Sequence, residues 1–221
     1  MSSSKAFNVI GKNTIRKDGI AKITGLEKYA SDISLPNMLH ARVLKSPVSH
    51  AKVKSMDVTE AERLGTVVVT YKEIPKVRFC PRLVSTPEAT YKDWYVLTKK
   101  PLYVGEPIAA VAAESEEEAQ KAVEAISIDF EAMEPSFDAL ESMRPEKPLL
   151  HETILLNDEE IKVEKNVGCR LEIAEGDVER GFAESDIVLE RVYRTNRRYH
   201  DQLETKSVVV NPEPDGGITV W

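Results

Sequence analysis

Cysteine is scarce: two residues in 221, Cys80 and Cys169, far apart and in no C-x-x-C pair. That excludes a disulfide-stapled scaffold and a thiolate zinc site, and predicts thiols not joined in a disulfide, in a reducing compartment, the cytoplasm. Aromatics are sparse at 6%, and no apolar run approaches the ~20 residues of a membrane span. The opening "MSSSKAFNVI" has no apolar signal-peptide core. A basic excess is also missing: the formal net charge is -7 and the sequence pI about 5.3. No nucleic-acid partner is expected, because neutralising phosphates requires a basic face, and no membrane partner either. Self-contained chemistry is missing as well. There is no G-x-G-x-x-G, no G-x-x-x-x-G-K-[ST], no G-x-S-x-G and no H-E-x-x-H.

What is present is an ordinary globular composition, 42% hydrophobic and 30% charged. Two modest domains of this length can bury a core without covalent staples. The clearest stretch is "YVGEPIAAVAAESEEEAQKAVEAISIDFE", Tyr103 to Glu131. "PIAAVAAE" is apolar throughout and has the length of a buried strand. Ser115 followed by Glu118 forms a capping box, and Glu116, Glu117 and Glu118 suit the positive end of a helix dipole. Ala119, Ala122, Val123 and Ile126 then fall on one helical face. "ISIDFE" alternates with Ile126, Ile128 and Phe130 inward. Strand, helix and strand suggest a crossover unit with helices packed on a sheet. The acidic triplet is read as helix chemistry rather than as a metal site.

Upstream, "MLHARVLKS" is a strand bounded by Pro36 and Pro47, with Leu39, Ala41 and Val43 alternating against His40, Arg42 and Leu44. "HAKVKSMDV" is a second strand, with Ala51, Val53 and Ser55 on one side. "TEAERLG" is a short helix with Thr59 as N-cap, Glu62 completing a capping box and Gly65 ending it. "TVVVTY" reads as a central strand. Residues 72 to 100, broken by Pro75, Pro81 and Pro87, form an irregular excursion of the kind that is often functional or interface-forming.

Downstream, prolines 135, 145 and 148 mark a linker. "NVGCRLEI" is expected as a strand, followed by a turn at Gly176 and a helix begun near Asp177. "DIVLERVYRTNRRYH" and "ETKSVVVNPEPDGGITVW" read as strands, with "PEPDGG" turning a hairpin. Trp221 lies within the second arm, so the chain is expected to be either cut short or completed by a partner.

Three constellations bear on chemistry. Cys80 stands in "RFCPR" between Arg78 and Arg82, where cations favour a thiolate; an inert loop cysteine is the stronger reading, since no base is visible. Arg194, Arg197 and Arg198 form a cation cluster suited to a phosphate or an acidic patch; a solvated strand end outweighs it. The four histidines, His40, His50, His151 and His200, are scattered and read as locally bonded rather than ligating.

Taken in order, several stretches resemble the large, molybdenum-bearing subunit of the molybdenum hydroxylases: xanthine dehydrogenases, aldehyde oxidoreductases and carbon monoxide dehydrogenases. The run from Gly11 through Gly25 is similar to the family's G-x-x-x-x-R-x-D-G-x-x-K-x-T-G, with Arg16, Asp18, Gly19, Lys22 and Thr24 matching. "SDISLPNMLHARVLKSP", "YVGEPIAAV" and "GDVERGFAESDIVLERVYRTNRRYHDQLET" resemble three further family segments. Lys45, Val48 and Thr205 depart from the pattern.

The resemblance implies an α+β architecture. An extended lead-in, 1–17, precedes an α/β-hammerhead domain of mixed sheet with packed helices, 18–132. A linker, 133–150, leads to the incomplete start of a molybdopterin-binding α+β domain, 151–221. It implies hydroxylation of an aldehyde or N-heterocycle carbon with water-derived oxygen, using molybdenum held by molybdopterin, and electrons leaving through [2Fe–2S] centres to FAD. The implied partners are the remainder of the large subunit and the iron–sulfur and FAD subunits. No catalytic, cofactor-binding or metal residue is expected in this chain, and no cofactor bound by it alone. His200 and Glu204, matching H-x-x-[LM]-E, carry a structural role. A different class remains open: a non-catalytic binding or scaffolding module built on the hammerhead fold.

Overall fold

The structure is a computed structural model that describes residues 7–81 and 90–221. Its helices are α1 (Gly19–Ile23), α2 (Thr59–Arg63), α3 (Glu116–Ala125), α4 (Ala139–Ser142) and α5 (Val178–Glu184). Its strands are β1 (His40–Lys45), β2 (Ala51–Asp57), β3 (Val67–Thr70), β4 (Pro107–Ala113), β5 (Ser127–Ala132), β6 (Thr153–Leu156), β7 (Glu159–Lys162), β8 (Val210–Pro212) and β9 (Ile218–Val220). The chain divides into two compact units, Asn37–Leu189 and the pair Met1–Pro36 with Glu190–Trp221.

The larger unit is built around β4. Its apolar run, PIAAVAA, pairs antiparallel with β1 on one side and β3 on the other. A strand with neighbours on both edges satisfies its backbone groups internally, so it tolerates the deepest burial. Ile108 and Ala109 are fully buried and Val111 nearly so. β3, read from "TVVVTY" as central, is an edge strand: β4 carries no polar side chain and takes the middle place instead. β2 and β5 form their own antiparallel ladder, with a register shift between Val53 and Ser55. Strand, helix and strand therefore follow one another as expected, but β4 and β5 belong to different ladders.

α3 packs on β1 and β4 and against α2. Ala119 and Ala122 are fully buried, and their small side chains let the helix backbone approach the sheet. Ala61, Val111, Ala122 and Ile126 form the core, flanked by Leu44, Met56, Val68 and Ile128. The predicted cap is present: the Glu118 amide donates to Ser115 Oγ at 3.2 Å and the Ser115 hydroxyl donates to Glu118 at 2.9 Å. At α2 the cap differs from the one expected. The N-cap is Val58, whose side chain cannot cap, and the Thr59 amide donates to Asp57 Oδ1 at 3.0 Å, because Asp57 ends β2 two residues earlier with its carboxylate in reach. Gly65 ends α2 with φ +78°, as its sequence position implies.

On β1 the parity is the reverse of a buried alternation. Leu44 packs against the core, while Leu39 and Val43 are 51% and 44% exposed. On β2 the expected side holds for Ala51 and Val53, both fully buried, but not for Ser55, which the register shift turns outward.

A hairpin not anticipated from the sequence joins β6 to β7. Asn157 and Asp158 turn it with φ of +52° and +64°, the left-handed pair of a two-residue hairpin loop. "NVGCRLEI" and "DIVLERVYRTNRRYH" are not ladder strands. Residues 169–207 make no strand pairing among the described residues and are exposed. Asp177 caps α5, accepting from the Arg180 amide at 3.0 Å.

In the smaller unit, Asp18 lies between Arg16 at 2.5 Å and Lys22 at 2.7 Å, and these cations hold its carboxyl far below the usual range. β8 and β9 form the expected hairpin, extended by reciprocal backbone bonds between Val209 and Trp221. Among the described residues, no helix is long and apolar enough to cross a membrane.

Candidate functional site

A collection of polar groups inside the larger unit lies where the irregular excursion meets the β6–β7 hairpin. Two backbone bridges shape it. Phe79 and Trp94 exchange hydrogen bonds at 2.9 and 3.2 Å, and Lys92 and Leu155 do so at 2.7 and 3.0 Å. Trp94 then stacks edge-on against Phe79, centroids 6.5 Å apart, and tilted over Tyr103 at 5.6 Å. Aromatic pairs in this range add stabilisation beyond their buried area.

Arg78 fastens the two pieces together. Its guanidinium donates to the Tyr95 hydroxyl at 3.0 Å, to Thr153 O at 3.2 Å, to Thr153 Oγ1 at 3.1 Å and to Glu160 at 2.8 Å. A planar fork with five donors suits such a junction, where lysine could not serve all the acceptors. Lys92 adds an ion pair to Asp158 on the hairpin turn. Asn166 secures the linker from the other side: its Oδ1 accepts from the Leu150 amide at 2.8 Å, and its Nδ2 donates to Ser142 O and Pro148 O, each at 3.0 Å.

Beneath this junction sit two buried acids, Asp93 and Glu106. Glu106 follows the turn at Gly105, whose φ of +95° only glycine adopts without strain. Burial pushes the Glu106 carboxyl up and the negative charge of Asp93 adds to it; the amides of Leu102 and Tyr103 pull the other way. Burial, with Glu106 second, also pushes up the Tyr103 phenol. Asp93 Oδ2 lies 3.8 Å from His151 Nε2, at the wall of a cavity of about 190 Å³ shared with Tyr91, Asn166 and Gly168. The Tyr91 ring rests on Gly168, where a Cβ would stand 2.8 Å from Tyr91 Cζ. A space of this size is below the ~300–1,000 Å³ of a small-molecule site. The separation between Asp93 and His151 exceeds a hydrogen bond. The arrangement holds loop against hairpin.

His50 is a second buried fastener. Its Nδ1 is 2.6 Å from Glu134 O. A carbonyl only accepts, so Nδ1 carries the proton; the Met133 amide in turn donates to His50 O at 3.0 Å.

Among the described residues of the larger unit, those singled out from the sequence do not converge. Cys80 is half-buried and Cys169 exposed, with no disulfide between them. The Arg78 guanidinium beside Cys80 in sequence is committed to Tyr95, Thr153 and Glu160, and Arg82 lies outside the described residues. Arg194, Arg197, Arg198, His200 and Glu204 are exposed. His40 lies 4.0 Å from Glu116, which pairs with Arg42 at 2.6 Å. No group of three or more potential ligand side chains comes together among the described residues. The Arg78 junction had no signal in the sequence, since its hairpin acceptors lie 75 and 82 residues away. The hairpin did: Asn157–Asp158, residue types that tolerate positive φ, follow the apolar run TILL as a two-residue turn.

Comparison with known proteins resolves the larger pattern. Residues 24–134 match the family model of the aldehyde oxidase and xanthine dehydrogenase a/b hammerhead domain, and residues 160–221 match that of the molybdopterin cofactor-binding domain. The two matches, in this order, define the class: the leading part of a molybdenum hydroxylase large subunit. The chain belongs to the aldehyde oxidase and xanthine dehydrogenase family.

It is 35% identical over 209 residues to a probable xanthine dehydrogenase component of Bacillus subtilis, covering 94% of this chain and 26% of that protein. It is 32% identical over 219 residues to the nicotinate dehydrogenase large molybdopterin subunit of Eubacterium barkeri, covering 98% and 47%. In fold it is similar to the aldehyde oxidoreductase of Desulfovibrio gigas, with a TM-score of 0.73 over 93% of this chain and 22% of the other, at 23% identity. The chain thus spans less than half the length of these relatives.

Of the residues matched to the molybdopterin-binding model, 169–207 are exposed throughout and so shelter no pterin by themselves.

Proposed function

We propose that this chain is the frame-building part of the large subunit of a molybdenum-dependent hydroxylase acting on an aldehyde or an N-heterocycle. Residues 18–132 serve as its hammerhead domain, 133–150 as a linker, and 151–221 as the opening of its molybdopterin-binding domain. The reacting groups, the pterin contacts and the substrate pocket belong to polypeptide beyond this stretch. Iron–sulfur and FAD subunits receive the electrons.

The observation that carries the reading is the ordered pair of family matches combined with the arrangement of polar groups. Part-buried polar groups of the larger unit fasten loops: Arg78 on Thr153, Asn166 on the linker, His50 on Glu134. Such a unit supplies placement, and the metal supplies Lewis acidity and redox chemistry when bound elsewhere in the assembly. The exposed apolar side chains of the second matched region support it too. Ile187, Val192, Tyr193 and Leu203 are 77%, 82%, 87% and 103% exposed, a state that packing by further polypeptide would relieve.

The test is co-expression of the tagged chain with the polypeptide bearing the later family regions. Co-purification at one-to-one stoichiometry, with molybdenum in the complex, is expected. A chain that stays a monodisperse monomer in the presence of that polypeptide would sink the proposal and favour the binding-module alternative.

A further inference from the structure

β1, β4 and β3 form a three-stranded antiparallel sheet whose inner face meets α2 and α3. The register fixes what lies on the other face. Ala41 pairs with Ala112 and Val43 with Ala110; on the far side Val67 pairs with Ala112 and Val69 with Ala110. These six side chains therefore share one face, and none of them is polar. Val43 and Val67 are 44% and 56% exposed, and Leu39, next in parity on β1, is 51% exposed.

An antiparallel sheet with one face in water ordinarily alternates polar residues outward. Here His40, Arg42 and Thr70 fall on the opposite parity, and the outer face is alanine floored between valine walls, with the exposed Lys45 at its end where the register shifts between Leu44 and Lys45. A smooth aliphatic trough of this kind suits close approach of another backbone, as a helix side or a strand. At about 4.8 Å between strands and about 3.4 Å per residue, it covers on the order of 200–300 Å². A free-standing interface needs about 800 Å² per partner. The area is too small for a second copy of this chain to be held by this face alone. It suits an occupant already retained by other contacts.

We infer that the outer face of the β1–β4–β3 sheet is the docking surface for the polypeptide that the longer relatives carry beyond the matched stretch, received as an apolar ridge on Ala110 and Ala112. The inference rests on the proposed function. It adds which face is used and what chemistry meets it.

The experiment uses the full chain co-expressed with the polypeptide carrying the later family regions. Val43→Lys and Val67→Lys are made together, with Glu117→Lys on the exposed side of α3 as control. The double variant is expected to weaken association more than tenfold while the isolated chain keeps its thermal midpoint, because both side chains already stand in water. The control is expected to associate like the wild type. Unchanged association of the double variant overturns the inference and leaves the proposed function intact. Failure of the wild type to associate overturns both. A large loss of thermal stability in the isolated double variant shows that this chain already covers the face, and overturns the inference as well. A gel-filtration shift of the wild-type chain alone to a dimer, abolished by the double variant, overturns it too, by assigning the face to a second copy.

Discussion

Arg78→Met is the sharpest perturbation of the framework. Methionine keeps much of the aliphatic stem and removes the guanidinium. The Arg78 side chain is 19% exposed and donates to Tyr95, twice to Thr153 and once to Glu160. The Glu160 side chain is 57% exposed, so solvent screens that contact and it contributes little. The bonds to Tyr95 and Thr153 are part-buried and charge-assisted. Hydrogen bonds to charged groups contribute about 1.5–3 kcal/mol each when well sheltered. Discounting for partial solvation and shared geometry gives about 2–3 kcal/mol for the junction. The loss should be local, freeing the hairpin from the excursion while β4 stays paired. At about 1.4 kcal/mol per tenfold, that corresponds to roughly 30–150-fold faster amide exchange at Lys92 and Leu155. Val77→Ala, at a side chain 64% exposed, is the matched control and should change exchange less than ~3-fold. Unchanged exchange at Lys92 and Leu155 would refute the reasoning. So would an equal rise across β4, because the hairpin would then not be a separable element.

Further outcomes follow from the same structure. Glu106→Gln should stabilise the chain at neutral pH. The folded carboxyl titrates above its ordinary 4.5, so its ionisation costs stability as pH rises from there through the raised value, and the amide is spared that cost; melts of the two proteins that stay parallel from about pH 4 to 8 would count against this. Val111→Ala, in the α2–α3 core, should cost about 2–3 kcal/mol in urea unfolding, from two buried methyls at about 0.8 each plus the cavity; a loss under about 1 kcal/mol would mean the core collapses around it. Ser115→Ala should cost about 1 kcal/mol by removing the α3 cap, and Thr59→Ala much less, because Asp57 holds that position; equal losses would show the α2 cap is misassigned.

Local signals in the sequence carried over well where a single segment decides the outcome. Ser115 with Glu118, Gly65, Asp177 and the alternation of Ile128 and Phe130 all stand as their residue types imply, since caps, turns and strand faces are set within a few residues. Pairing was not legible in the same way. "TVVVTY" has the composition of a central strand, yet β4 takes the centre, and the choice depends on neighbours far along the chain. The apolar parity of Ala41 and Val43 implied burial but faces outward. Strand-like composition in "DIVLERVYRTNRRYH" produced no ladder among the described residues. The candidate site was least legible, because Arg78 is a lone arginine until Thr153 and Glu160 are folded onto it. The family resemblance succeeded where single motifs failed because it used their order along the chain.

This polypeptide builds the frame, and the molybdenum chemistry belongs to its neighbours: that proposal is tested most directly by metal content. Molybdenum and pterin should be quantified, with substrate turnover, in the purified chain and in its complex with the molybdenum-bearing polypeptide. About one molybdenum per complex is expected, with no stoichiometric cofactor or turnover in the chain alone. One pterin-bound molybdenum per 221-residue chain, with turnover, would be incompatible with a frame that leaves the chemistry to others.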